Sequence, residues 1–414
     1  MSSEKLKKIC YYIIVRSDTL NNKTNSLSFK RKFKDMDKQL LIATILLIII
    51  GTLSIVSASS RETVSRYDYS VYHYFFKHME MLGIAILGSI IIFKFPTKSY
   101  RLFAPILWIA ILCCLIGLFI YSSIKRGSIN WLTIMGFTFQ PSEFAKPIII
   151  ATLSIFFEIM ANRYLKNPKF NTLIFLILWI VLGLLIPGIV FLQGDLGTAL
   201  ILIGISGFMY LYGPLERKKK FKYLSWMFVI FIVAAFGLYM KRGYLLTDEQ
   251  LSRFDFFNPC SKYEDNGYQI CNGLIAINNG GITGLGIGKS QQKYSYIPDP
   301  HTDSIFSIII EEAGLITGIV IIFLYAWMLR RIYKIAVNAS TIRGRYIAFG
   351  AMVYLSLHII FNLGGLLAIL PLTGVPLPLI SYGGSFTISF LAMLTMVQCV
   401  AVETKNQKIK ITSN

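Results

Sequence analysis

Ten apolar runs, separated by polar or basic segments, account for most of the chain. Most of them are long enough to cross the roughly 30 Å hydrocarbon core of a bilayer as α-helices, whereas the run Thr198–Tyr212 is short. The pattern therefore predicts an all-α polytopic membrane protein with about ten transmembrane helices. The runs are Leu40–Ser57, His78–Phe95, Phe103–Tyr121, Phe144–Ala161, Leu173–Leu192, Thr198–Tyr212, Tyr223–Met240, Ile305–Met328, Ile347–Ile369 and Phe386–Val402.

The charged residues agree with this class and predict its orientation. Only 15% of the residues are charged, against roughly 25% in a soluble domain. Of the 41 Lys and Arg residues, 29 lie in the two tails and in alternate loops, 11 lie in the other loops, and Lys146 lies inside a run. Because basic residues tend to stay in the cytoplasm, both termini are expected inside. The net charge of +20 then reflects topology and attraction to membrane lipids, without nucleic acid as a partner.

The runs and loops predict a single membrane domain. It covers residues 39–403, between a basic cytoplasmic tail at 1–38 and a short cytoplasmic tail at 404–414. The cytoplasmic loops are short and basic and carry no Gly-x-x-x-x-Gly-Lys-Ser/Thr motif, which argues against an ATPase or a kinase. No convincing internal repeat is present, which weakens transporter architectures built from duplicated halves.

A large outer loop, about 241–303 and between the seventh and eighth predicted helices, stands out by its length. Its Phe and Tyr residues are atypical of disorder, so short helices and turns packed on the membrane surface are expected. Cys260 and Cys271 lie in this loop. Two interpretations are open: a disulfide, favoured by the oxidising outer compartment, or two free thiols.

Ionisable residues near the outer ends of the predicted helices are the candidate functional groups, because charges near lipid are costly. Glu143 and Lys146 are three residues apart, so they share a helix face and can pair. Asp195 and Asp303 lie at the starts of two runs, and Glu311 follows Asp303 two turns deeper.

Each candidate also has a structural interpretation. Glu143 and Lys146 could be a buried structural pair, Asp195 a turn residue and Asp303 a helix cap. The glycines between Gly280 and Gly288 could cradle a phosphate or simply form turns. His301 is more typical of a hydrogen-bonding loop residue than of a metal ligand. No His/Cys cluster indicates a metal site, no cofactor is assigned, and dependence on a divalent cation stays open.

These residues together predict an outer-facing cavity, partly within lipid, lined by carboxylates and cations. Such a cavity suits an amphipathic anionic substrate, for example a lipid with a phosphate-linked head group. The residues alone do not distinguish a substrate that is transformed from one that is moved.

Seven segments, in order along the ten-run pattern, resemble the bacterial SEDS proteins (shape, elongation, division and sporulation), represented by FtsW, RodA and SpoVE. The resemblance extends from about Leu40 to Val402. The segments are Gln140–Lys146, Gln193–Thr198, Gly267-Tyr268-Gln269, Ser290-Gln291-Gln292-Lys293, His301-Thr302-Asp303, Glu311-Glu312-Ala313-Gly314 and Pro376–Ser385.

The resemblance implies the SEDS fold and a peptidoglycan glycosyltransferase. Such an enzyme polymerises lipid II at the outer face of the cytoplasmic membrane, acts on glycan linked to undecaprenyl pyrophosphate, and works with a class B penicillin-binding protein. The segment Ser290–Lys293 is more similar to the division-type FtsW branch, which implies the septum and other division proteins as partners. The alternatives are an elongation-type RodA polymerase, a lipid II flippase, a scaffold that recruits the penicillin-binding protein, and, less favoured, a proton-coupled transporter.

The resemblance also implies roles for particular residues. Asp303, in the His-Thr-Asp motif, corresponds to the family's essential aspartate and is expected to be the general base. Lys146 is expected to orient Asp303 or contact a pyrophosphate, with Glu143 holding it. Further supporting or substrate-binding candidates, the first three of them for pyrophosphate, are Arg253, Lys289, Lys293, His301, Glu311, Asp195 and Ser385.

Two features around Asp303 remain to be decided by the structure. A helix start depresses the basicity of a carboxylate, whereas burial near lipid raises its pKa, and the sequence does not say which dominates. The chain also departs from the family pattern, with Pro298-Asp299-Pro300 before the motif, Ser304 after it, and, near the last run, Phe386 in place of a second serine after Ser385. These departures put local loop geometry in doubt, while the acidic and basic side chains are retained.

Overall fold

The computed structural model describes residues 28–67, 70–121, 130–134, 137–166, 172–244, 256, 259–261, 266–294 and 297–412. Every predicted apolar run coincides with a helix, although the run His78–Phe95 continues one residue and the run Ile347–Ile369 three residues past the end of its helix. The helices are α1 Phe29–Lys34, α2 Lys38–Tyr67, α3 His73–Lys94, α4 Tyr100–Tyr121, α5 Pro141–Lys166, α6 Thr172–Leu192, α7 Leu196–Tyr212, α8 Arg217–Arg242, α9 Asn266–Gly280, α10 Ile305–Asn338, α11 Ile342–Leu366 and α12 Gly384–Thr412.

Eight of the described helices are long and apolar enough to cross a membrane, namely α2 to α6 and α10 to α12. Helix α7 is apolar but has only 17 residues, and α8 begins with Arg217-Lys218-Lys219-Lys220. The chain is therefore a multi-pass membrane protein. Ten spans and the inside position of both termini stay predictions.

The core lies between α5, α11 and α12, which pack against one another. In the apolar stretch of α5, 83% of the residues are buried, whereas in that of α3 the share is 17%, so α5 is central and α3 peripheral. Helix α10 packs against α2 and α11, and α3 packs against α12. The central position of α5 and α11 matters because both carry polar residues of the candidate site.

A short β-hairpin departs from the all-α prediction. Strand β1, Leu132–Ile134, pairs antiparallel with β2, Phe137–Phe139, with Leu132 opposite Phe139. The chain then enters α5 at Pro141, where the missing backbone N–H of proline costs nothing at the first helical position. The hairpin thereby brings Glu143 and Lys146 to the start of a buried helix.

The predicted outer loop contains a 3₁₀ turn, Pro259–Ser261, followed by α9. A disulfide joins Cys260 in the turn to Cys271 in α9. Of the two interpretations of these cysteines, the structure shows the disulfide. Residues 1–27 of the predicted tail lie outside the described residues, while α1 packs on α3, with Lys32 Nζ donating to the Lys94 carbonyl at 2.8 Å.

Candidate functional site

Asp303 lies in the turn immediately before α10 and is partly exposed. Ser304 occupies the N-cap position and makes no side-chain capping hydrogen bond, so the structure does not support the capping interpretation of Asp303. Instead, the Asp303 carboxylate accepts hydrogen bonds from Gln269 Nε2, at 3.3 Å to each oxygen, and from Thr302 Oγ1 at 3.2 Å. These donors orient the carboxylate.

The pKa of Asp303 is set by opposing effects. Burial is the largest of them and raises the pKa above its usual range, and the nearby Asp299 raises it further. The hydrogen bonds from Thr302, from the Asp303 backbone and from Gln269 lower it. The net effect is upward, which makes the carboxylate a stronger base than a surface aspartate.

Helix α11 holds the backbone around Asp303. Asn362 Nδ2 donates to the carbonyl oxygen of Asp303 and to that of Val375, each at 2.8 Å. A Cβ added to Gly374, which has a φ of +65°, would lie 3.9 Å from Asp303 Oδ2. The segment around Gly374 therefore borders the carboxylate. Neither Asn362 nor Gln269 was a candidate from the sequence, although Gln269 lies in the Gly-Tyr-Gln segment.

Glu143 and Lys146 form a buried ion pair, with 2.6 Å between Oε1 and Nζ. This distance confirms the pairing predicted from their spacing. The hydrogen bonds of Lys146 go to Glu143 and to His358, while those of the Asp303 carboxylate come from Gln269 and Thr302. Lys146 therefore makes no direct hydrogen bond to the Asp303 carboxylate, and its expected role of orienting Asp303 or contacting a pyrophosphate stays a prediction.

Asp195 and Ser385 both hydrogen-bond to Gln140, the residue immediately before α5. Asp195 caps α7 by accepting from Thr198 N at 3.0 Å, and its other oxygen accepts from Gln140 Nε2 at 2.8 Å. Ser385 Oγ accepts from Gln140 N at 3.0 Å. Asp195 is thus a helix cap, its substrate-binding role stays a prediction, and the two residues position Gln140 from the starts of α7 and α12.

Glu311 and Lys293 have internal partners. Glu311 is fully buried and accepts from Ser290 Oγ and from the backbone N–H groups of Gln291 and Gln292. Lys293 is also buried, and its Nζ pairs with Glu312 at 2.8 Å. Its charge is neutralised inside the protein, which argues against its expected contact with pyrophosphate.

The glycine-rich loop after α9 packs against α10. Helix α10 is interrupted at Gly314, which has a φ of +81°. The freed backbone groups bond to the loop, with Gly286 N donating to the Glu312 carbonyl at 2.9 Å and Leu315 N to the Gly281 carbonyl at 3.0 Å. These contacts assign the glycines to a helix–loop junction, and they replace the phosphate-cradle interpretation.

The remaining candidates differ in accessibility. His301 packs against the rings of Tyr74 and Tyr382, at centroid distances of 4.3 and 5.3 Å, and those two rings are 5.0 Å apart. Burial lowers the pKa of His301 to about 4, which leaves the ring neutral at physiological pH. Lys289 is exposed, and Arg253 lies outside the described residues. Among the residues that the structure describes, no His/Cys/Asp/Glu group could hold a metal ion.

Comparisons with known proteins agree with this architecture. The profile of the cell cycle protein family that comprises FtsW, RodA and SpoVE matches residues 38–406. The chain is 30% identical over 386 residues to the probable peptidoglycan glycosyltransferase FtsW of Bacillus subtilis, covering 92% of this chain and 94% of that protein. It is also 30% identical over 388 residues to the peptidoglycan glycosyltransferase MrdB of Escherichia coli, covering 91% and 97%.

Two solved structures share the fold. A chain from a peptidoglycan synthase complex that coordinates polymerization and crosslinking matches with a TM-score of 0.67 and 22% identity, over 89% of this chain and 98% of that chain. The rod shape determining protein RodA of Thermus thermophilus matches with a TM-score of 0.62 and 21% identity, over 88% and 96%. These likenesses confirm the predicted helical fold. Relatives of both types match, so the comparisons do not separate the division-type from the elongation-type branch.

Proposed function

Because the chain belongs to the FtsW/RodA/SpoVE family of cell cycle proteins, we propose that it is a peptidoglycan glycosyltransferase that polymerises lipid II into glycan strands. The reaction takes place at the outer face of the cytoplasmic membrane. The observation that carries the proposal is the Asp303 carboxylate, which is partly exposed and is held by Gln269 and Thr302.

Asp303 acts as the general base. It removes the proton from the sugar 4-hydroxyl of the acceptor while that oxygen bonds to the anomeric carbon of the lipid-linked donor. The bond from that carbon to the pyrophosphate breaks, and undecaprenyl pyrophosphate leaves with the electron pair. A base contributes about 10²–10⁴-fold to such a reaction. The raised pKa of Asp303 supports this role, because a more basic carboxylate accepts the proton more readily.

We expect cationic side chains to stabilise the charge that grows on the leaving pyrophosphate. Lys289 is exposed and is our candidate among the described residues. Arg253 is a second candidate, since a guanidinium can bind phosphate oxygens bidentately. Lys293 and Lys146 act inside the protein instead, since both are buried and paired with carboxylates.

The working partner is a class B penicillin-binding protein that cross-links the peptides. The matched peptidoglycan synthase complex, which coordinates polymerization and crosslinking, supports such a partnership. The segment Ser290–Lys293 favours the division-type branch, so the protein would act at the septum with other division proteins.

The test is glycan polymerisation from purified lipid II, comparing the wild type with Asp303→Asn, each alone and with the penicillin-binding partner. We expect the wild type to form polymer and the Asn variant to lose at least about 10²-fold in rate. Asparagine preserves the side-chain shape and can still accept a hydrogen bond from Gln269. Partner binding and the melting temperature serve as folding controls.

Three other outcomes would change the assignment. Equal polymer from both proteins would remove Asp303 from the role of base. No polymer from either protein, with lipid II translocation intact, would favour a flippase. Support of the partner's activity by both proteins, without polymer from either, would favour a scaffold.

A further inference from the structure

His358 lies in α11 between the buried ion pair and the segment that borders Asp303. Its Nε2 is 3.2 Å from Lys146 Nζ, and its Nδ1 is 3.2 Å from the carbonyl oxygen of Pro376. His358 is fully buried and Lys146 is 1% exposed. A single imidazole therefore contacts two parts of the chain that are more than 200 residues apart in sequence.

The hydrogen-bond chemistry determines the form of this imidazole. A lysine ammonium has only donors, so His358 Nε2 must accept from Lys146. A carbonyl oxygen has only lone pairs, so Nδ1 must carry the proton and donate to Pro376. Only the neutral ring with its proton on Nδ1 satisfies both contacts, and stacking on Phe386, at a centroid distance of 4.8 Å, holds its plane.

The same helix continues the connection to Asp303. Asn362 lies one turn after His358 and donates to the carbonyl oxygens of Val375 and Asp303. His358 and Asn362 therefore hold adjacent carbonyl groups, those of Pro376 and Val375, next to the glycine that borders the Asp303 carboxylate. Among the described residues, no direct hydrogen bond joins the Glu143–Lys146 pair to the Asp303 carboxylate. A displacement of the pair would therefore be transmitted to Asp303 through this segment.

We propose that His358 is a positioning residue that couples the Glu143–Lys146 ion pair to the segment Gly374–Pro376 and so aligns Asp303 for catalysis. The proposal rests on the glycosyltransferase function proposed above. In this proposal the ion pair contributes by holding His358 in position. One hydrogen bond of His358 goes to Lys146 of the pair and the other goes to Pro376 of the segment.

Two near-isosteric substitutions separate the two hydrogen bonds. His358→Gln places an acceptor where Nε2 stands, so it retains the contact with Lys146 and loses the donor to Pro376. His358→Asn places a donor where Nδ1 stands, so it retains the contact with Pro376 and loses the acceptor for Lys146. His358→Leu removes both contacts. A link in series predicts that all three variants lose a similar factor, roughly ten- to hundred-fold in kcat, with little change in KM for lipid II.

The measurement is steady-state polymerisation by the full-length protein, together with the melting temperature of each variant. Thr152→Val serves as the control. Thr152 lies in α5 and is buried, as His358 is, and its hydroxyl has no partner among the described residues. This variant should retain the kcat of the wild type.

Other patterns would overturn the coupling. Wild-type activity in the Gln variant alone would mean that only the partner for Lys146 matters, and wild-type activity in the Asn variant alone would mean that only the anchor on Pro376 matters. Loss that follows the melting temperature, with kcat unchanged in the folded fraction, would leave His358 a purely structural residue. An inactive wild type would contradict the proposed function itself.

Discussion

Asp303 shows how individual contacts adjust a single carboxylate. Burial raises its pKa, and the Gln269 amide opposes that effect by donating to both oxygens. A base must be deprotonated to act, so the acid limb of the rate profile reports the balance between burial with Asp299 and the hydrogen bonds from Thr302, the backbone and Gln269. Gln269 thereby affects both the orientation and the protonation of the Asp303 carboxylate.

Gln269→Leu should move the acid limb of the kcat/KM profile to higher pH, because it removes a hydrogen-bond donor that stabilises the charged form of Asp303. The direction follows from the loss of a donor that lowers the pKa of Asp303, while burial and the negative charge of Asp299 continue to raise it. The pH dependence of polymerisation measures the shift.

Asn278→Leu is the control for this prediction, since Asn278 lies in the same helix with its side chain exposed. Its profile should coincide with that of the wild type. An unshifted acid limb in the Gln269 variant would mean that Gln269 does not stabilise the charged form of Asp303.

At the scale of elements, the junction between α10 and the glycine-rich loop fixes the backbone next to Glu311 and Glu312. The break at Gly314 frees backbone groups of α10, and the loop satisfies them, as a buried backbone requires. A Cβ at Gly314 would lie 2.2 Å from the carbonyl oxygen of Ile282. Only glycine fits both this contact and this backbone conformation.

Gly314→Ala should destabilise the protein by at least about 3 kcal/mol, since it adds a backbone clash to a strained conformation. The matched control is Gly88→Ala in α3, where a Cβ meets nothing within 4 Å. That substitution should be neutral or stabilise by about 0.5–1 kcal/mol. Thermal unfolding of both variants in detergent measures the difference, and equal melting temperatures would contradict this account of the junction.

At the scale of the whole molecule, residues in or next to loops predicted on one side of the membrane contact one another. Glu158 at the end of α5 pairs with Arg343 of α11 and Arg101 of α4, each at 2.9 Å. Thr97 donates to Glu403 of α12 through both its backbone N–H and its hydroxyl, at 2.6 Å each. The opposite ends of α5, α11 and α12 lie near Gln140 or Asp303. The contacts thus agree with loops that alternate between two sides.

Arg343→Met should destabilise the protein by about 3 kcal/mol, because it leaves the buried Glu158 carboxylate with a single cation. The half-exposed Arg101 still contacts Glu158, which keeps the loss at the lower end of the range for buried pairs. Lys77→Met is the control, since it breaks an exposed pair with Glu80 and should change the free energy of unfolding by less than about 1 kcal/mol. Thermal unfolding checks the ranking, and a similar effect of both substitutions would contradict it.

The helices could be predicted from the sequence because their cause is local. In lipid, a backbone must form its hydrogen bonds within its own segment, so each long apolar run becomes a helix wherever it packs. The pairing of Glu143 with Lys146 was predictable for the same reason, since residues three apart always share a helix face. The resemblance of the His-Thr-Asp motif identified Asp303 as the candidate base.

Only the tertiary structure decided what each charge faces. The sequence placed Lys293 as a cation for pyrophosphate near the outer side, yet the buried Glu312 carboxylate neutralises it. Gln269, His358 and Asn362 reach Asp303 or its neighbouring segment from two other helices. Contacts of this kind depend on how helices pack, and no periodicity within one helix encodes them. Helix formation is local and was determined by the sequence alone, whereas the alignment of the Asp303 carboxylate is a property of the assembled bundle.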